Sequence, residues 1–324
     1  MAITATQKIL TLDYWKFADK IEVGDYVFNK DGDIVTVTKI HKYFSEDCHE
    51  VIFNDHTVME GDKHLGFLIE TPQYRKRSNA YKGVQKFANK LKFTKLEDII
   101  ESPLKNERDR LVYSIPLTEP LKFPAQCHSV PAFIFGFWFK RPNLLPNKNT
   151  EDFIHKKFQS HGYKIKPIHS KVRNMILTPT IESQFAPYIP TRIPENYLMG
   201  SVEERIELLS GIIYAKPKQY GIKHNEFIIY EQHLSTALRL QFLTESLGIA
   251  SILDKNCRGQ YLLLFRTNLR LVEWQKPKLT KKHFARRFIT EVKPIQSQMC
   301  VHIETSEGDN SLIVGEGFIA TCCQ

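Results

Sequence analysis

The chain reads as an α+β protein: an all-β unit built from both ends of the sequence, split by an inserted unit of mixed helix and strand. Three observations predict this. Residues 8–70 are short β-rich runs broken by turn sequences, residues 131–275 mix helical periodicity with strands, and residues 288–321 return to short strands with Gly-rich turns. β character at both ends around a mixed insert is the pattern of one domain whose halves are separated in sequence.

The elements follow in order. "GDYVF" at 24–28, "IVTVTKI" at 34–40 and "HEVIF" at 49–53 are strand-like, with "NKDGD" and "NDHT" as turns. Residues 71–125 change character, and "YRKRSNAYKGVQKFANKLKFTK" is basic with interleaved aromatics. That stretch either tracks a phosphate backbone or is a solvated helix with a Tyr/Phe packing stripe. "SVEERIELLSGII" opens on Ser201 with Glu204 three residues on, a capping-box pattern, and its apolar Ile206, Leu209, Ile212 and Ile213 recur at helical spacing. "HLSTALRLQFLTESLGI" predicts a second amphipathic helix ending at Gly248, and "QYLLLFRT" predicts a strand. The charged connector "KPKLTKKHFARR" and the turns "EGDN" and "VGEGF" lead into the closing strands.

At 324 residues and 42% hydrophobic content the chain has enough apolar material for sizeable cores, and its length favours two domains. The net charge of +9 and pI of about 9.1 raise the expectation of an anionic partner, nucleic acid first. No run reaches the length of a membrane span, and the N-terminus lacks the pattern of a signal peptide. The six cysteines have no zinc-type spacing and are expected to be reduced thiols in a cytosolic protein, although the adjacent Cys322 and Cys323 could oxidise.

One near-repeat carries chemistry. In "FIFGFWFKRP" Gly136 is followed five residues later by Arg141, and in "LLSGIIYAKP" Gly211 is followed by Lys216. Both segments resemble the paired motif of LAGLIDADG homing endonucleases, whose last position is a metal-binding Asp. The opening "AITATQKILTLDYWKFADKIEVGDYV" resembles the first block of an intein, or Hint, domain, and "FNDHTVMEGDKHLGFL" resembles its second, with His64 at the block His and Gly61 where Thr is usual. "CVHIETSEGDNSLIVGEGFIATCCQ" is similar to the closing Hint blocks, with Thr321 in place, Cys322 at the His position and Cys323 at the Asn position. The resemblance implies an all-β Hint (intein-like) domain from residues 1–125 and 280–324, split by a LAGLIDADG-type αββαββα domain at 128–275. It covers nearly the whole chain and is of the phage type, which would place the protein in a host cytoplasm.

The residues that depart from these patterns remove the expected chemistry. Splicing needs a nucleophile at the first residue, where Ala2 has only a methyl, and a terminal Asn, where Cys323 has no amide. The chain also begins at Met1 and ends at Gln324, which reads as a free-standing unit with nothing to join. His64 is expected to be a satisfied histidine of the β-domain rather than a catalyst. Cleavage needs carboxylates that hold Mg²⁺, and Arg141 and Lys216 repel a cation, so no metal or other cofactor is expected. With 45 Lys+Arg in the chain, two basic residues at both positions is about a 2% coincidence on composition. Either a DNA phosphate sits between them, or the cations splay into solvent or pair with local Glu.

The resemblance implies two antiparallel saddles lying in the major groove, from about 145–190 and 217–270. Lys156, Lys157, Lys164, Lys166, Lys171 and Arg173 fall in the first, and Lys218, Lys223, Arg258 and Arg266 in or near the second, alongside Arg141 and Lys216. The leading expectation is a monomer that binds double-stranded DNA without cutting it or splicing, with no membrane association. A structural role on a phage or host protein partner, and residual nuclease or self-processing activity, are the alternatives.

Overall fold

The computed structural model describes residues 2–70, 91–141, 151–163, 166–167, 175–176, 185–189, 192–216, 221–223, 225–275, 286–306, 311–315 and 317–322. It is mixed α+β and mostly sheet. The chain forms two compact units, Met1–Lys122 with Lys281–Gln324, and Phe123–Thr280.

The first unit is a strand assembly. Its N-terminal segment gives β1 (Ile3–Thr4), β2 (Lys8–Thr11), β3 (Tyr14–Phe17), β4 (Tyr26–Phe28), β5 (Ile34–Ser45), β6 (Cys48–Phe53), β7 (Val58–Asp62), β8 (Gly66–Ile69), β9 (Lys92–Lys95), the short helix α1 (Leu96–Ile100) and β10 (Ser114–Pro116). Its C-terminal segment gives β17 (Arg286–Ile295), β18 (Gln298–Thr305), β19 (Ser311–Val314) and β20 (Ile319–Cys322). They join in the order β10-β17-β6-β7-β1-β18-β5-β4-β2-β19-β20-β8-β9, with β3 on β2. The bridge from Glu70, just after β8, to Ser114 on β10 brings the first strand of that path back to its penultimate one.

The two segments interleave. β1 lies between β7 and β18, and β17 pairs with β6 and β10. Backbone donors of one segment therefore find their acceptors on the other, and neither completes the sheet alone. The alternating inward residues Val35, Val37, Val51, Phe53, Phe67, Ile289, Val301 and Ile303 form one core with Leu96 and Ile99 of α1.

The second unit contains α2 (Ala132–Lys140), α3 (Glu151–Ser160), β11 (Lys166–Pro167), β12 (Met175–Ile176), α4 (Glu195–Leu198), α5 (Val202–Ala215), β13 (Gly221–Lys223), β14 (Glu226–Glu231), α6 (Leu234–Glu245), β15 (Ser251–Lys255) and β16 (Tyr261–Arg266). The strands β13-β14-β16-β15 form an antiparallel sheet, with Phe227, Ile229, Leu263 and Phe265 on its buried face. α5 starts on the predicted capping box. Glu204 N–H donates to Ser201 Oγ at 3.3 Å, and Ser201 N–H donates to the Glu204 carboxylate at 2.7 Å. α6 stops at Glu245, and the turn beyond it is closed by Gly248 at φ +70.

The region expected to supply the first saddle holds the helix α3 and, among its described residues, the antiparallel two-residue pair β11 and β12. Ile154 and Phe158 repeat at i and i+4 and are buried, and Phe153 stacks on Tyr214 at 4.4 Å. This is the helical rather than the strand period.

Candidate functional site

The center of the second unit is the crossing of α2 and α5. A Cβ placed on Gly136 would lie 2.3 Å from Leu208 O and 3.2 Å from Ile212 N. A Cβ on Gly211 would lie 2.1 Å from Phe133 O and 2.9 Å from Phe137 N. Leu208 and Phe133 each precede the opposite glycine by three residues, and Ile212 and Phe137 each follow it by one. The contact is therefore reciprocal, backbone against backbone, about a local pseudo-twofold axis. Only glycine permits this approach on both helices.

The crossing fixes where each helix ends. Arg141 is the C-cap of α2 (φ −143, ψ 74) and Lys216 the C-cap of α5 (φ −140, ψ 61). The two basic residues thus leave equivalent helix ends with nearly the same backbone conformation. Both are half-buried, and among the described residues neither side chain has an ion-pair or hydrogen-bond partner. Burial pulls the Arg141 guanidinium below its usual pKa, yet an arginine stays charged at neutral pH.

A third cation sits beside them. Lys140 Nζ is buried against Glu231 at the end of β14. Burial lowers the Lys140 pKa, Glu231 opposes the shift, and Lys216 lowers it further. The Glu231 carboxylate is therefore held by Lys140. Sequence reading missed both partners of this pair, because Lys140 lies at Gly-plus-four and Glu231 is 91 residues away. Among the described residues no group of three or more His, Cys, Asp or Glu is gathered so as to hold a metal ion.

The other basic residues divide into kinds. Lys156 is exposed on α3, and Arg258 is exposed in the β15–β16 turn. Lys157 is bonded to Glu207 Oε1 at 2.8 Å, and Arg266 is ion-paired with Glu226, its direct cross-strand partner. Lys166 lies on β11 and Lys223 on β13, while Lys164, Lys171, Arg173 and Lys218 lie outside the described residues. On the outward face of the four-stranded sheet the Arg266–Glu226 pair lies beside an apolar row. Ile228, Leu264 and Ile252 align across three strands, with Leu264 40% and Ile252 44% exposed. Tyr230, Leu262 and Asp254 make the next row.

In the first unit the residues matching the Hint blocks do gather in part. Ala2 is fully buried, and its carbonyl accepts from the Asp62 N–H at 3.1 Å. Asp62 Oδ2 accepts from Tyr43 Oη at 2.5 Å, and Oδ1 from the His64 N–H at 3.1 Å. Burial, reinforced by Asp62, holds the Tyr43 phenol well above its usual pKa. A Cβ at Gly61 would meet Ala2 O at 2.7 Å and Leu65 Cδ2 at 2.8 Å, so a threonine does not fit here. The His64 ring is half-exposed, with Nδ1 3.6 Å from Glu97. Thr321 donates to Leu312 O at 3.2 Å. Cys322 ends β20, and Cys323 lies outside the described residues. Asp62 lies within the quoted second block but was not singled out, and Tyr43 lies outside the quoted blocks.

No family model matches the chain. It is similar to a curated replicative DNA helicase DnaB from Mycobacterium intracellulare, at 23% identity over 336 aligned positions, covering 95% of this chain and 56% of that protein. The chain thus spans about half the length of the curated relative it matches. Among solved structures it is similar to the MchDnaB-1 intein, at 23% identity and a TM-score of 0.20, covering 21% of this chain and 53% of that one. It is also similar to I-DmoI, solved in complex with DNA and Mn, at 14% identity and a TM-score of 0.28, covering 56% of this chain and 85% of that one. No described helix is long and apolar enough to cross a membrane.

Proposed function

We propose that this chain is an intein-like protein whose second unit holds duplex DNA through backbone phosphates without cleaving it, and whose first unit does not splice. One observation carries the reading. The reciprocal glycine crossing sets Arg141 and Lys216 at equivalent helix C-caps, unpaired among the described residues. Two cations held near one axis repel each other unless an anion lies between them, and a phosphate group accepts both a guanidinium fork and an ammonium point charge. The same positions offer a divalent cation no carboxylate, and Glu231 is taken by Lys140. In the first unit Ala2 supplies no nucleophile.

The test is a titration of labelled duplex DNA with wild type and with Arg141→Glu/Lys216→Glu. The reading expects affinity that falls steeply with salt, falls further in the double variant, and is not accompanied by nicking in Mg²⁺. Equal affinity in the two proteins overturns it.

The apolar row Ile228–Leu264–Ile252 favors a second reading, contact with another protein. Ile252→Lys/Leu264→Lys separates the two. On a DNA-facing sheet the added charges raise DNA affinity, whereas on a protein-facing sheet they leave it unchanged and abolish the protein complex.

A further inference from the structure

The first unit holds two thiols that neither reading uses. Cys48 opens β6 directly after the β5–β6 turn, and Cys300 lies near the start of β18, after the β17–β18 turn. They are 252 positions apart in sequence, yet their sulfurs are 3.7 Å apart and both residues are buried. Ala2, Tyr43 and Ile295 pack around them. The Cys48 thiol also lies 3.5 Å from Ser45 O, which accepts from it and leaves the Cys48 sulfur as acceptor for the Cys300 thiol. Cys127 and Cys257 are exposed and free.

We propose that Cys48 and Cys300 are a modification site, a thiol pair that a low-molecular-weight disulfide such as glutathione disulfide converts to a cross-link. The link ties the N-terminal segment of the first unit to its C-terminal segment. A disulfide bond is about 2.0 Å long, so the sulfurs have to close by roughly 1.7 Å from a contact they already make. A single buried cysteine is an ordinary core residue. Two in mutual contact, one from each sequence segment, are positioned to react with each other. The segments are otherwise joined by strand pairing and packing, so the link adds a covalent tie between them.

The reaction is a balanced exchange. One protein thiolate attacks glutathione disulfide and displaces one glutathione thiolate. The second protein thiolate attacks the protein sulfur of that mixed disulfide and displaces the other glutathione. One S–S bond breaks and another forms overall, two protein thiols are oxidized, and two glutathiones are released carrying the two protons. Burial holds the Cys300 thiol well above its usual pKa, and Cys48 raises it further. Thiolate is therefore scarce at neutral pH, and the exchange accelerates as the solution is made alkaline. Two thiols at this spacing also suit zinc, but among the described residues they belong to no group of three or more metal-ligating side chains.

The experiment uses the full chain with Cys127, Cys257, Cys322 and Cys323 replaced by Ser, kept folded in chelator and exposed to glutathione disulfide across a pH series. Intact mass and peptide mapping follow the product. The expected result is a mass loss of two hydrogens, a single cross-linked peptide pair containing Cys48 and Cys300, and a raised unfolding midpoint that reductant reverses. Cys300→Ser in the same background is expected to lose all three. The unsubstituted chain run in parallel shows whether the link forms in the native set of cysteines. Three results overturn the proposal: glutathione adducts at Cys127 and Cys257 of the unsubstituted chain with no internal link, a link that forms only after denaturant has unfolded the chain, or zinc retained by the pair in place of oxidation.

Discussion

Replacing Gly136 with Ala puts a methyl 2.3 Å from Leu208 O, where ordinary contact begins near 3.4 Å, a shortfall of 3.4 − 2.3 = 1.1 Å. The same change at Gly211 gives 3.4 − 2.1 = 1.3 Å against Phe133 O. The obstacle in each case is backbone, so it cannot swing aside, and α2 and α5 have to separate. Overpacking of this kind costs about 1–3 kcal/mol, and a backbone clash belongs at the upper end. Alanine returns roughly 1 kcal/mol of helix propensity. The net loss is about 2 kcal/mol, or about 4–8 °C in Tm for a unit of this size. Trp138 and Trp274 lie in the second unit and Trp15 in the first. Fluorescence-detected unfolding of a Trp15→Phe background therefore reports the second unit alone. Because the crossing is reciprocal, separating the helices for one alanine makes room for the other. The double variant should lose less than the sum of the singles. An unchanged or raised midpoint in either single variant, or strictly additive losses, would refute the reciprocal crossing.

Three further outcomes are expected. Gly61→Thr should lower the unfolding midpoint of the first unit, because the threonine Cβ meets the Ala2 carbonyl, and leave the chain at the full-length mass of the variant; a shortened product by mass spectrometry would contradict this. Lys140→Met strands the Glu231 carboxylate and should destabilize the second unit by about 3–5 kcal/mol in urea titration, with Glu231→Gln in the same chain recovering much of it. Asp55 is buried beside Arg287 and Thr57. Burial opposes its charge, but the Arg287 guanidinium and the Thr57 hydrogen bonds outweigh it and hold its carboxyl below the usual value. Its stabilization is therefore complete above the unfolded carboxyl pKa of about 3.9 and is lost as pH falls through the lower folded value. Asp55→Asn should flatten that acid limb, and an unchanged limb would show that the pair contributes nothing.

Local chemistry was legible in the sequence. The Ser201–Glu204 box, the turn at Gly248 that follows α6 and the alternating runs of β4, β5 and β6 are all set by neighbors a few positions away. What was not legible depends on distant partners. A count of lysines and arginines does not reveal that Arg266 faces Glu226 across a ladder or that Lys157 meets Glu207 from another helix. The stacking of Phe153 of α3 on Tyr214 of α5 is a tertiary contact of the same kind. The outward apolar row on the sheet depends on register, which shifts every side chain to the other face with a one-residue slip. The Cys48–Cys300 contact joins residues 252 positions apart and has no sequence spacing to betray it.

The central claim is that Arg141 and Lys216 replace metal chemistry with phosphate binding. The most direct measurement follows labelled duplex DNA in the same lanes for mobility shift and nicking, across a salt series, with Mg²⁺ and with chelator, for wild type and for Arg141→Glu/Lys216→Glu. The account predicts a salt-sensitive shift without nicking, unchanged by chelator and weakened in the charge-reversed protein. Mg²⁺-dependent nicking, or no shift at low salt, would contradict it.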